Sequence, residues 1–330
     1  MKVLFIALLT MLAPSLAGAA EADAVGGKKP RFVAFSLEYT NFSVSWDGIR
    51  WENQRLAEDS VAHDINVLRA GAFGNGAFVF AGGATNKKEQ KDIEGVAGGN
   101  MSYFRQTTDG VKWAGDVYNG VFTVVFGGGE FVAVRPGAQW RSKDGVKWTK
   151  SKANPSNKLI PIHSATFAGE GFFVTVPGNG GTSRLITKDF VTIQSSDAAF
   201  KQFPAAAAGK GVFVIVGDDG CRDATSDGVK WTLHRGEPGD ALQSAVWTGK
   251  QFYAAGRTAK GDGVVYTSAD GQQWKRQAGL SIPSFKVAYH SGLYVAVAKN
   301  NAWYSEDGLT WKASPQPPKG INMYPVARTD

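Results

Sequence analysis

The chain is poor in the residues that build disulfides, metal centres and reactive nucleophiles. Cys221 is its one cysteine, so no intramolecular disulfide can form and no zinc site made of several thiolates is possible. A catalytic thiol needs a positioned base; no histidine stands at a fixed spacing from Cys221, which reads as a passive thiol. Histidines are limited to His63, His163, His234 and His290. No long amphipathic helical pattern occurs, which argues against an α-rich fold. Charge is not concentrated either: 36 Lys and Arg against 29 Asp and Glu leave a net +7, without the basic block of a nucleic-acid tail. The acidic stretch Asp218-Asp219-Gly220-Cys221-Arg222-Asp223 lacks the Asp-x-Asp-x-Asp-Gly spacing of a calcium loop and its later Glu. It reads as a solvated interstrand loop. No metal and no cofactor is expected.

Long apolar runs are missing as well. Val3 to Leu12 falls short of the roughly 20 residues that cross a bilayer. With Lys2 before it and Ala17-Gly18-Ala19 after it, the run has the three parts of a secretory signal peptide. Residues 1–19 are therefore expected to be a signal peptide, 20–30 a leader, and 31–330 a single domain that is secreted or periplasmic. No cysteine follows the run to carry a lipid. Removing the signal takes away Lys2 alone and leaves +6, a mild basicity that suits contact with anionic polymers or surfaces.

What the chain has in abundance is glycine, 41 residues, and aromatics, 12%. They are organised by a repeat. The phrase Ser/Thr-x-Asp-Gly-x-x-Trp runs from Ser45 to Trp51, Thr107 to Trp113, Ser142 to Trp148, Thr225 to Trp231, Ser268 to Trp274 and Ser305 to Trp311. A worn copy at Thr187-Lys188-Asp189-Phe190 ends in Ile193. The aspartates at 47, 109, 144, 189, 227, 270 and 307 recur on average about every 43 residues, the length of a four-stranded propeller blade. Before each copy after the first lies a Gly turn followed by aromatic and β-branched alternation, as in Gly127-Gly128-Gly129-Glu130-Phe131-Val132-Ala133-Val134. Such turns between apolar runs signal hairpins. The expected fold is all-β: a seven-bladed β-propeller of four-stranded antiparallel blades. The first unit begins at Arg31-Phe32-Val33-Ala34-Phe35 with no strand before it, and Ile321 to Ala327 is left over at the other end. The C-terminal segment is therefore expected to close the ring as the innermost strand of the first blade, removing exposed edges.

The phrase has a physical logic. Asp and Ser side chains bond backbone N–H groups within a turn, and Gly accepts a positive φ. Three residues on, Trp can bury a large ring between neighbouring sheets. Asp47, Asp109, Asp144, Asp189, Asp227, Asp270 and Asp307, with Trp51, Trp113, Trp148, Trp231, Trp274 and Trp311, are thus read as structural. These turns resemble the Asp-boxes of the BNR-repeat propellers, a group in the sialidase-like superfamily that includes sialidases, relatives of a photosystem II assembly factor and exported bacterial proteins. The resemblance covers nearly the whole mature chain. It implies that the Asp-boxes lie away from any active site.

A sialidase-like centre would need three arginines clamping a carboxylate, a Tyr–Glu nucleophile pair and an acidic Asp. The opening Arg-Ile-Pro phrase of those enzymes is absent, and Arg31, Arg69, Arg105 and Arg222 are scattered along the chain. The innermost-strand segments are mostly Ala, Val, Phe and Ser, with Arg69, His163, Gln243 and Lys286 as polar exceptions, and these four are the candidate binding residues. The reading is an exported, non-catalytic, monomeric propeller that binds a glycan, a cell-envelope component or a partner protein, and no nucleic acid. The alternative is a glycoside hydrolase or polysaccharide lyase acting on acidic glycans, with His163 and a tyrosine as one lyase pairing. The first two aspartates are 62 residues apart because the second unit carries an insertion around Asn86 to Glu94, which is read equally as a recognition loop or a solvated excursion.

Overall fold

The computed structural model describes residues 29–329 apart from 37–40, 56–65, 86–99, 120–122, 136–137, 152–163, 169–170, 179–180, 188–193, 199–204, 282–285 and 321–322. The expected signal peptide, most of the leader, the core of the 83–100 insertion, His163 and Asp189 lie outside the described residues. Among those described, the regular structure is strands and one 3-10 turn, and no helix is long and apolar enough to cross a membrane.

The fold is a β-propeller of antiparallel sheets. Its first sheet is ordered Met323–Ala327, Phe32–Ser36, Asn41–Ser45, Glu52–Arg55. The inner strand therefore comes from the C-terminus and pairs antiparallel with Phe32–Ser36, Met323 opposite Ser36 and Ala327 opposite Phe32. The other sheets are simple meanders whose inner strands are Asn66–Gly74, Thr123–Gly127, Ser164–Ala168, Ala205–Gly209, Ala241–Trp247 and Lys286–His290. Each inner strand touches the inner strand of the next sheet, and Met323–Ala327 touches both Lys286–His290 and Asn66–Gly74.

The expectation of seven four-stranded blades is corrected. Among the described residues six blades have four strands, and the remaining sheet has three, Ala205–Gly209, Val212–Val216 and Arg222–Thr225. The reason is local. After its turn, the chain makes one bridge, Thr232 to Ala224, and one more bond, from Arg222 N to His234 O (3.0 Å). It then swings in through Glu237 to Asp240, where a strand would continue outward. Asp240, 1% exposed, accepts Tyr266 Oη (2.7 Å) and both Nε and Nη2 of Arg276 (2.8 and 3.1 Å) from the next sheet. A buried carboxylate held this way is costly to separate from its partners, so the network outranks a few ladder bonds. Pro238, lacking an N–H, could not have joined the ladder in full.

The core is a series of slabs between neighbouring sheets. Phe32, Ala34, Trp51, Leu293, Val295 and Met323 fill the joint where the ring closes, and Val33, Phe35, Phe42, Val44, Phe78 and Phe80 fill the next. Second strands such as Phe32–Ser36 are buried at every residue because a sheet covers each face. Each such Phe or Val contributes about 1.5–3 kcal/mol, which is why these strands read as unbroken apolar runs.

Candidate functional site

Seen from the residues upward, the two ends of the ring differ. The Ser/Thr-x-Asp-Gly-x-x-Trp turns and the inner hairpins lie at one end, since both follow strands running in the same direction. In the third sheet, Gly145 N donates to Ser142 Oγ (2.8 Å), and Val146 N and Lys147 N donate to Asp144 Oδ1 (2.9 and 2.8 Å). The same set recurs around Asp47, Asp109, Asp227, Asp270 and Asp307. Burial works to raise the Asp307 carboxyl. The amides of Thr310 and Leu309 with the hydroxyls of Ser305 and Thr310 outweigh it and hold the group at about 2. These carboxylates are spent on their own turns.

In the turns around Asp47, Asp109, Asp144, Asp270 and Asp307 the glycine is pressed against the preceding sheet. Gly145 has φ +75°, and a Cβ there would lie 2.2 Å from Val79 Cγ2. At Gly48 it would lie 2.4 Å from Leu293 Cδ2 across the closing joint. The tryptophans work at the same joints: Trp148 stacks on Phe104 at 4.1 Å and 22°, and Trp113 packs on Phe42 at 4.3 Å. Trp51 is fully buried and Trp148 only partly.

Of the arginines weighed for a carboxylate clamp, Arg31, Arg105 and Arg222 do not gather. Arg31 Nη2 donates to His290 O (2.9 Å) at the closing joint. Arg105 Nη1 donates to Phe104 O (3.0 Å) in the second sheet. Arg222, buried in the three-stranded sheet, donates to Gly220 O (2.7 Å) and lies 4.0 Å over the Tyr266 ring. Cys221 is buried, with Arg235 Nη1 at 2.8 Å from its sulfur and at 2.7 Å from Asp223 Oδ1.

The opposite end, where inner strands start, carries Arg69, Gln243 and Lys286, three of the polar residues singled out in the sequence; His163 lies outside the described residues. Arg69 sits at a β-bulge between Leu68 and Ala70, and Gln243 at a bulge between Leu242 and Ser244, the corresponding place in another sheet. A bulge inserts an extra residue and re-aims it. At Gln243 the extra residue is solvent-exposed. The bulge also turns Ser244 inward, where its hydroxyl donates to Val287 O (3.1 Å) and accepts from Val287 N (3.2 Å). That stitch joins the residue after Gln243 to the residue after Lys286 on the next inner strand. Lys286 Nζ lies 3.5 Å over the ring of Tyr324, on the third inner strand in turn. Half-burial lowers the Lys286 ammonium from its ordinary 10.5 to about 8. Tyr324 also stacks on Phe35, its partner on the paired strand, at 5.8 Å and 26°.

Sequence reasoning found Gln243 and Lys286 as polar exceptions but missed Tyr324, which it assigned only to ring closure. Aligning that closing strand with the other inner strands places Tyr324 beside Lys286, so the signal was present. It missed the Asp240–Tyr266–Arg276 network entirely; its members are far apart in the chain and carry no shared spacing.

No family model and no curated protein matches the chain. Solved structures do. A structure described as YCF48 bound to D1 peptide is 13% identical, covering 90% of this chain and 87% of that one, with a TM-score of 0.55. The acylaminoacyl peptidase of Pyrococcus horikoshii is 7% identical over 77% of this chain and 47% of that one, with a TM-score of 0.51. The β-propeller domain of the Trilobed protease from Pyrococcus furiosus is 9% identical over 76% and 84%, with a TM-score of 0.48. At these identities the first two similarities are of fold alone.

Proposed function

We propose that this is an exported, non-catalytic propeller of the Asp-box kind that binds a segment of a partner protein at the end where its inner strands start. One observation carries the reading. Gln243, Lys286 and Tyr324 lie on three successive inner strands at that end, Lys286 over the Tyr324 ring and Gln243 one residue before the Ser244–Val287 bonds, whereas the aspartates and tryptophans of the other end are consumed in turns and joints. The similar structure described as YCF48 with a bound peptide adds support for the partner class. A sugar-stacking site would need an open aromatic face, and the Tyr324 ring is half-buried, covered by Lys286 and stacked on its strand neighbour Phe35.

The test is a photo-crosslinking amino acid placed at Gln243, with Val146 at the far end as its control, in protein exported by its own cells. The expected result is a discrete adduct with one protein from position 243, absent from position 146 and competed away by excess unlabelled protein. Identical adducts from both positions, or turnover of an acidic glycan by the purified protein, would overturn the reading.

A further inference from the structure

The exposed charges from residue 241 onward are mostly cationic at one end of the ring. Sheets and loops there place Arg257, Lys260, Lys286, Lys299 and Lys319 at the end where inner strands start. Among the described residues, Asp262 shares this end, and Asp218, Asp219 and Glu237 lie at it on the loops of the preceding sheet, beside the loop that carries Lys260; Asp270, Glu306 and Asp307 are at the other. The topology explains the gathering. Arg257 ends a second strand directly opposite Ala241, the first residue of its inner strand. Lys286 opens the next inner strand, opposite Val297, and Lys299 follows two residues beyond Val297. Lys319 is brought to Lys299 by paired bonds between their neighbours: Asn300 N donates to Gly320 O (3.1 Å), and Gly320 N donates to Asn300 Oδ1 (2.9 Å). Arg257, Lys260, Lys299 and Lys319 are exposed, while Lys286 is set deeper, against Tyr324.

We infer that this cationic arc docks an acidic polypeptide segment, its carboxylates facing Arg257, Lys299 and Lys319 on the rim and one reaching inward to Lys286, with Gln243 on the preceding inner strand. The inference deepens the partner-binding reading and rests on it. Exposed rim charges steer and select while adding modest affinity each; a charge set in a partly dry pocket discriminates more strongly. Lys286 has the deeper position, and Gln243, exposed on the preceding inner strand, is able both to donate to and to accept from a peptide group. A lipid surface would need exposed apolar anchors beside the cations. Among the described residues, the large exposed apolar side chains, Val111, Val146, Val229 and Leu233, belong instead to earlier sheets, three of them on the turns of the far end.

The experiment measures fluorescence anisotropy of a labelled hexaglutamate peptide with the full folded protein, against a hexaserine peptide. The expected result is binding of hexaglutamate and not hexaserine, weakening as salt rises from about 20 mM to about 200 mM. The double variant K299Q/K319Q should weaken it about tenfold, two rim charges at a few-fold each. K286Q should weaken it at least as much from a single site, while K112Q/K147Q, at the far end, should leave it unchanged. Equal binding of the two peptides, or equal loss in the far-end variant, overturns the inference. A sulfated polysaccharide that binds the same residues more tightly than hexaglutamate also overturns it, assigning the arc to glycans. If K299Q/K319Q leaves the crosslink from position 243 intact, the acidic-segment inference fails while partner binding stands.

Discussion

Two glycine-to-alanine changes separate what the repeated turn does for itself from what it does for the ring. Gly145 and Gly249 both have positive φ, +75° and +82°. An L-residue in that region costs about 1–2 kcal/mol at either place. They differ in surroundings. A Cβ on Gly249 meets nothing within 4 Å, whereas one on Gly145 would lie 2.2 Å from Val79 Cγ2. Val79 is fully buried in the neighbouring sheet and has nowhere to retreat. Overpacking of that kind adds about 1–3 kcal/mol. Gly145→Ala should therefore cost about 2–5 kcal/mol and Gly249→Ala about 1–2. Urea unfolding followed by tryptophan fluorescence reads both, and the two variants should share one slope, so that their midpoints rank their stabilities directly. Equal midpoints would refute the claim that the turn glycine is the close contact between blades.

Cutting the chain after Gln316 removes Met323–Ala327, leaves Phe32–Ser36 as an unpaired edge and strips away fully buried Met323; such an edge invites aggregation, so the truncated protein should be insoluble, and a soluble product melting like the full chain would count against ring closure by this strand. Trp51→Ala should cost about 3–5 kcal/mol because the ring is fully buried, and Trp148→Ala about 2–3 because it is partly exposed and held mainly by Phe104; chemical denaturation giving the reverse order would show that burial does not set the cost. Asp307 is held at about 2 in the fold against an ordinary 3.8, so its contribution is complete above about pH 4 and drains away as pH falls toward 2. Asp307→Asn should flatten the acid limb of thermal melts in that window, and an unchanged limb would remove the turn from the acid response.

Some of this was decided by local chemistry and was readable in the chain. Ser142, Asp144 and Gly145 bond within a single turn, so their spacing alone specifies the geometry wherever the phrase occurs. The unpaired Phe32–Ser36 phrase at one end and the spare segment at the other left little choice about which strand lies beside which. Lys286 and Gln243 stood out because an inner strand seldom carries long polar side chains. The tertiary structure alone decided the rest. The unit around Arg222 follows the same pattern as far as Trp231, yet loses its fourth strand because Asp240 is buried against Tyr266 and Arg276 of another sheet. The bulges at Arg69 and Gln243 depend on register between strands. The cationic arc depends on which loops the ring brings to one end, since Lys299 and Lys319 become neighbours only through the bonds between Asn300 and Gly320. Turn chemistry acts over a few residues and is written in order along the chain; burial and charge act through space, between residues that only the closed ring makes adjacent.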